Sequence, residues 1–91
     1  MRRHWKIRVK GKVQGVFYRK FTKEKADQLQ VTGWVRNEPD GSVYVEAEGN
    51  EGQLKEFAAW CRQGPPDAMV GEVNVEEGSV QYYPIFEIRR I

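Results

Sequence analysis

The sequence predicts an α+β sandwich, with two helices packed on one face of a mainly antiparallel sheet of four to five strands. Two observations lead to this fold class. Alternations of apolar and polar residues, typical of half-buried strands, are interrupted twice by segments with apolar residues at helical spacing. The segments follow the order strand, helix, strand, strand, helix, strand, strand, whose first six members match the ferredoxin-like split βαβ plan.

The first predicted strand is marked by Trp5, Ile7 and Val9, which alternate with charged residues. It leads into a stretch from Gly11 to Arg19 that carries two glycines and precedes the first helix. Glycine allows positive φ and a close approach to a ligand, and successive amides in such a turn can form an anion-binding nest. The free N–H groups of a helix start would add to this field, and Arg19 would supply a guanidinium that suits phosphate oxygens. The residues alone therefore predict a site for a small tetrahedral anion.

The first predicted helix covers about residues 19 to 30. At 100° per residue its apolar side chains fall within one arc, as expected for an amphipathic helix: Tyr18, Phe21, Ala26 and Leu29. Gly33 lies just beyond this segment, and we expect it to end the helix.

A β-hairpin is predicted next. Trp34 to Asn37 forms its first strand, Glu38 to Gly41 its turn, and the alternation from Val43 to Glu48 its second strand. Proline early in the turn and glycine late are the residues that such a turn favours.

The second half of the chain predicts one helix and two strands. The helix has apolar residues at i, i+3, i+4 and i+7, and it ends at Gly64-Pro65-Pro66: Leu54, Phe57, Ala58 and Cys61. Val73 and Val75 indicate a fourth strand, and Phe86 with Ile88 a last one. The pattern does not fix the position of the last strand in the sheet.

The composition is that of one globular domain over residues 1–91, with 40% hydrophobic and 31% charged residues. The net charge of +2 is too small for a non-specific polyanion binder, although it favours an anionic substrate. No apolar run is long enough to cross a membrane, and the start lacks the apolar core of a signal peptide. We therefore expect a cytoplasmic protein without a membrane partner.

Several kinds of site are not favoured. The single cysteine, Cys61, cannot form an intramolecular disulfide, and its place on an apolar stripe favours packing over nucleophilic chemistry. One cysteine and one histidine, His4, give no zinc-binding cluster, and we expect His4 at the surface. The glycine turn lacks the G-K-[ST] ending of a P-loop, so neither ATP nor another cofactor is predicted.

Two motifs resemble the signatures of the acylphosphatases, which hydrolyse carboxyl–phosphate anhydrides. The first consists of Gly11, Val13, Gln14, Gly15, Val16 and Arg19. The second follows at matching spacing and consists of Gly33, Trp34, Val35, Asn37, Gly41, Val43 and Gly49. Tyr18 departs from the phenylalanine that is usual in the family, and its hydroxyl needs a hydrogen-bond partner if the ring is buried.

The resemblance implies a catalytic site without a metal ion. Arg19 would hold the substrate phosphate, and Asn37 would position the attacking water for in-line displacement of a carboxylate. The phosphate would also be surrounded by backbone amides, those of Gly15, Val16, Phe17, Tyr18 and Arg19. Inorganic phosphate or sulfate should compete for this cradle, and we expect a monomer. From the residues alone, an asparagine before a turn is better explained by a local hydrogen bond.

Two other functions compete with this one. A slow or non-catalytic module that handles carbamoyl phosphate or another anion would keep the same pocket, but 91 residues without a partner domain favour a free-standing enzyme. The same fold plan also hosts RNA-binding modules. Here Tyr44, Glu46 and Glu48 are expected on the outward face of the third strand, where carboxylates would repel a phosphate backbone. No nucleic-acid partner is therefore predicted.

Overall fold

The computed structural model describes residues 1–90, and its elements follow the predicted order. Its five strands are β1 (Arg3–Lys12), β2 (Thr32–Asn37), β3 (Val43–Gly49), β4 (Met69–Gly78) and β5 (Phe86–Ile88). Its two helices are α1 (Tyr18–Leu29) and α2 (Glu51–Gln63). Neither helix has the length and apolar character needed to cross a bilayer.

The five strands form one sheet in the order β4-β1-β3-β2-β5. All neighbouring strands are antiparallel except β2 and β5, which are parallel, so the predicted mainly antiparallel sandwich is confirmed. The last strand therefore takes the edge beside β2. Val43 of β3 pairs with Val9 on one side and with Asn37 on the other. The loop after β1 and the end of β2 are consequently brought to the same end of the sheet.

Both helices cover one face of the sheet, with α1 over β2 and β5 and α2 over β1, β3 and β4. The core between the layers is fully buried at Ile7, Val45 and Phe57. The predicted stripe of α1 is wrong at one position. Phe21 is 36% exposed, whereas Thr22 is buried with its hydroxyl donating to the Tyr18 carbonyl at 2.7 Å. A threonine that satisfies its own hydroxyl within the helix can replace an apolar residue in the core.

The ends of the helices also differ from expectation at one point. Gln30, in the left-handed conformation with φ 59°, ends α1, and its N–H caps carbonyls of the preceding turn. Gly33, expected to end this helix, lies inside β2 instead. At the start of α2, Asn50 and Gln53 form a reciprocal capping box, with both hydrogen bonds at 2.8 Å.

Gly11, the first glycine of the predicted anion turn, has a structural role. It lies in β1 at an irregularity in the pairing with β4. A Cβ on Gly11 would lie 2.2 Å from the carbonyl oxygen of Met69, so only glycine fits this close approach of the two strands.

Candidate functional site

A cleft of about 330 Å³ opens at the end of the sheet where β1 and β2 finish. Its walls come from the loop 13–17, the first turn of α1 with Arg19, and Asn37 at the end of β2. Ile88 of the last strand and Arg90, which follows that strand, complete the cleft. The structure therefore brings the two predicted catalytic side chains to one concave site, which we call the phosphate cleft.

The loop backbone of the phosphate cleft has an unusual conformation. Gly15 has φ 74° and Phe17 has φ 62°, so two left-handed residues flank Val16 immediately before α1 begins. Alternation of this kind turns successive N–H groups toward one concavity. For Phe17, a non-glycine residue, the conformation costs on the order of 1–3 kcal/mol. Its side chain is 68% exposed, so packing of the ring does not account for the strain.

The amides of this loop have no internal partners. Within residues 1–90, the backbone N–H groups of residues 15 to 20 donate no hydrogen bond, and the first helical bond runs from the Phe21 N–H to the Phe17 carbonyl at 3.1 Å. Free amides at the start of a helix, together with the helix dipole, favour an anion. The loop therefore offers a row of unused donors to the phosphate cleft.

Arg19 is half-buried and has neither an ion pair nor a side-chain hydrogen bond within the described part of the chain. Other arginines of the protein do pair with carboxylates: Arg2, Arg3, Arg8, Arg36 and Arg89. The guanidinium of Arg19 therefore keeps its full set of donors for a ligand.

Asn37 is the last residue of β2, where its backbone pairs with Val43. Its side chain is half-buried and has no hydrogen bond within residues 1–90, so the local hydrogen bond that position alone favoured is not formed there. The amide keeps both a donor and an acceptor facing a cleft that also contains Arg19.

Tyr18 places its backbone at the cleft and its side chain in the core. The hydroxyl donates to the carbonyl of Cys61 at 2.7 Å, and the ring packs against Trp60 at 5.5 Å between centroids. Burial raises the pKa of Tyr18 well above its ordinary value, so the hydroxyl remains a neutral donor. The hydrogen-bond partner that the buried tyrosine hydroxyl needs is thus present.

Cys61 is fully buried, and burial raises the pKa of its thiol to about 12. The thiol is therefore protonated and enclosed, which agrees with the predicted packing role. Among residues 1–90, no group of three His, Cys, Asp or Glu side chains is arranged to hold a metal ion.

Lys20, Ile88 and Arg90 line the phosphate cleft but were not expected there. Lys20 follows Arg19 in the first helical turn, so its nearness could have been inferred. Ile88 and Arg90 reach the cleft because β5 lies beside β2, which periodicity did not determine. The two additional cations strengthen the attraction for an anion.

A larger concavity, of about 610 Å³, lies on the uncovered face of the sheet. Its polar groups are largely paired with each other: Arg36 with Glu38 at 2.7 Å, and the Tyr44 hydroxyl with Glu46 at 2.9 Å. The Trp34 ring lies beneath the guanidinium of Arg36, 5.1 Å from its centroid. The smaller cleft, with its unused donors, is therefore the better candidate for chemistry.

The sequence and the fold both match those of known proteins. The family model described as Acylphosphatase matches residues 5–88. An acylphosphatase from Marinobacter nauticus is 53% identical over 73 residues, which cover 80% of this chain and 79% of that protein. The structure of an acylphosphatase from Coxiella burnetii superposes with a TM-score of 0.94 at 41% identity, covering 97% of this chain and 93% of the other. The crystal structure of the Bacillus subtilis acylphosphatase gives 0.93 at 37% identity, covering 98% and 99%.

Proposed function

The chain belongs to the acylphosphatase family and hydrolyses the carboxyl–phosphate bond of acyl phosphates, and we propose that the phosphate cleft carries out this reaction without a metal ion. The observation that supports the proposal is the meeting of Arg19, Asn37 and unpaired loop amides in one concavity. All three kinds of group offer donors, and none is used elsewhere within residues 1–90.

In this mechanism the phosphoryl group sits in the loop. The backbone amides of Gly15, Val16, Phe17, Tyr18 and Arg19 donate to its oxygens. The guanidinium of Arg19 binds two of them through its planar fork. Because the donors are fixed before substrate arrives, they stabilise the charge of the transition state without reorganisation.

Asn37 then orients the attacking water. Its amide oxygen accepts a hydrogen bond from the water, and its NH₂ donates to a phosphate oxygen. A carboxylate at this position would repel the substrate, whereas a neutral amide does not. The water forms a bond to phosphorus as the bond to the acyl oxygen breaks, and the leaving carboxylate needs no strong general acid. The proton of the water passes to the phosphate group itself.

We propose a monomeric, cytoplasmic, single-domain enzyme whose partners are a small acyl phosphate and competing phosphate or sulfate. The sequence holds one cysteine, which agrees with a reducing compartment. The carboxylate of Glu46, which lines the concavity on the uncovered sheet face, disfavours nucleic acid.

The test is hydrolysis of benzoyl phosphate in excess chelator. Arg19→Gln and Asn37→Ala should each lower the rate by about 10²–10³-fold, the usual cost of losing one fixed donor. Arg62→Gln is a matched control, because Arg62 is exposed on α2 and does not line the cleft. Folding of each variant is checked by circular dichroism.

Loss of wild-type activity on chelation would contradict the metal-free mechanism. Full activity in folded Arg19→Gln would contradict the assigned phosphate ligand. If phosphate binds in the cleft but benzoyl phosphate is not hydrolysed, the anion-handling alternative would replace the enzyme.

A further inference from the structure

Gln14 links the two halves of the phosphate cleft. It lies in the loop directly before Gly15, and its side chain is half-buried. The Nε2 group donates to the carbonyl of Glu38 at 2.8 Å and to the carbonyl of Ser42 at 2.9 Å. Both hydrogens of one amide group are thus directed to the turn that joins β2 and β3.

The carbonyls that Gln14 contacts lie close to Asn37 in the chain. Glu38 follows it directly, and the Glu38 N–H donates to the Ser42 carbonyl at 2.9 Å, closing the turn. Within residues 1–90 no other side-chain hydrogen bond connects the loop 13–17 with this turn. The loop's own amides are unpaired, so these two bonds fix it against the strand end that carries Asn37.

We propose that Gln14 is a positioning residue for the hydrolysis, holding the phosphate-binding loop and Asn37 at the separation that in-line attack requires. The inference rests on the roles given above to Arg19 and Asn37. In phosphoryl transfer, catalysis depends mainly on placing the water against phosphorus. A misplacement of about 1 Å can cost about 10²-fold in rate. A side chain that bridges the two binding elements therefore acts on the rate without contacting substrate.

The chemistry of the contact favours an amide. Two carbonyl oxygens face the same atom, so the residue must supply two donors, and glutamine does this without charge. Glutamate has nearly the same shape but would place a carboxylate oxygen against both carbonyls. Methionine has similar length and supplies no donor. Gln14→Glu thus removes the donors and adds repulsion, whereas Gln14→Met removes the donors without adding repulsion.

We expect Gln14→Glu to lower kcat about 10²-fold and Gln14→Met somewhat less. The inhibition constant for inorganic phosphate should change little, because Arg19 and the loop amides remain. Gln28→Glu, an exposed exchange of the same type on α1, is the control. A Gln14→Glu variant that loses phosphate inhibition together with kcat would overturn the proposal, since Gln14 would then shape the anion site itself.

A double-mutant cycle separates positioning from a general structural role. If Gln14 acts through Asn37, then Gln14→Met in the Asn37→Ala background should reduce kcat by much less than in wild type. If the substitution only lowers the folded fraction, the two losses multiply, and the proposal is overturned. The Gln28→Glu control should leave kcat unchanged in both backgrounds.

The same variants distinguish a failure of this inference from a failure of the function on which it rests. Wild-type rates in folded Arg19→Gln and Asn37→Ala would contradict the catalytic assignment. Strong losses in those variants, with multiplicative losses for Gln14, would keep the assignment and overturn only the positioning role.

Discussion

Two polar clusters lie at opposite ends of the central strands β1 and β3 and differ in how their groups are paired. The phosphate cleft is at the Val9–Val43 end, and its guanidinium, amide and backbone N–H groups have no partner within residues 1–90. The His4 cluster (His4, Glu46, Glu48, Tyr83 and Arg2) is at the other end, where His4 pairs with Glu48 in the strand register.

The centre of the His4 cluster, formed by His4 and Glu48, is buried and hydrogen-bonded to the groups around it. His4, expected at the surface, is 1% exposed, with Nδ1 2.7 Å from Glu48 and Nε2 2.8 Å from Glu46. Glu48, expected to face outward, is 0% exposed and also accepts from Arg2 at 3.3 Å and from the Tyr83 N–H at 3.2 Å. Both sequence expectations were wrong, because each side chain is enclosed by the segment leading to β5.

Internal pairing separates the His4 cluster from the proposed active site. Within residues 1–90, every fully buried side-chain nitrogen or oxygen has a partner, as the His4 cluster illustrates. Burial of an unpaired group is costly, so such clusters persist by pairing internally. Arg19 and Asn37 are partly exposed and have no partner within residues 1–90. Their lack of internal partners carries no large cost, because water or a ligand can form hydrogen bonds with them. Substitutions in the His4 cluster should therefore affect stability, and those in the phosphate cleft should affect rate.

The largest expected effect is on stability in the His4 cluster. Glu48→Gln turns one acceptor oxygen into a donor that faces other donors, since His4, Arg2 and two backbone N–H groups converge on this carboxylate. We expect the free energy of unfolding to fall by about 3–5 kcal/mol. Urea denaturation measures it, with the exposed exchange Glu56→Gln as control. An unchanged stability would show that the cluster is not structural.

The next largest effect should be on rate in the phosphate cleft. Arg19→Lys keeps the charge and loses the planar fork, so kcat/KM for benzoyl phosphate should fall about 10²–10³-fold, as for Arg19→Gln. The free energy of unfolding should stay within about 0.5 kcal/mol of wild type, because no internal partner is lost. Steady-state kinetics and urea denaturation of one preparation give both values. Near wild-type activity in Arg19→Lys would mean that charge alone suffices.

A smaller effect is expected from acid. Burial opposes ionisation of Glu48, but hydrogen bonds from the Gln81 N–H, His4 and the Tyr83 N–H outweigh it and hold its pKa below the ordinary value. The unfolded chain then binds more protons than the folded one below about pH 4.5, so stability falls as the pH is lowered. Urea midpoints between about pH 3 and 6 measure this decline.

Two exposed carboxylates contribute in the same direction and must be separated from Glu48. Hydrogen bonds lower the pKa of Asp40, through Ser42, and of Glu77, through Arg3. The Asp40→Asn/Glu77→Gln double variant removes both contributions. Part of the acid decline should remain in it, and a flat profile would exclude Glu48 as a source.

The smallest expected effect lies where the cleft loop meets the core. Tyr18→Phe removes the hydrogen bond to the Cys61 carbonyl and should lower the free energy of unfolding by about 1 kcal/mol. Thermal and urea denaturation check this, with the exposed exchange Tyr82→Phe as control. An equal or greater stability in Tyr18→Phe would mean that the hydroxyl contributes nothing net in the core.

Much of the architecture followed from local pattern. The alternation at Ile7 and Val9, the helical spacing in α2 and the turn chemistry at Gly41 depend on residues close together in the chain. Local backbone preference and burial of one face act over that distance. The two motifs likewise identified Arg19 and Asn37 as candidates before any contact was known.

Only the tertiary structure decided how distant segments meet. It placed β5 parallel to β2, buried His4 between two carboxylates and directed Gln14 to the hairpin turn. These outcomes depend on contacts between residues that are far apart in the chain. Local pattern does not determine them, because a polar side chain can form its hydrogen bonds with water or with any suitable partner. The sequence by itself determined which elements form and which residues could bind phosphate. The packed sheet determined which polar groups are paired with each other and which remain free for a substrate.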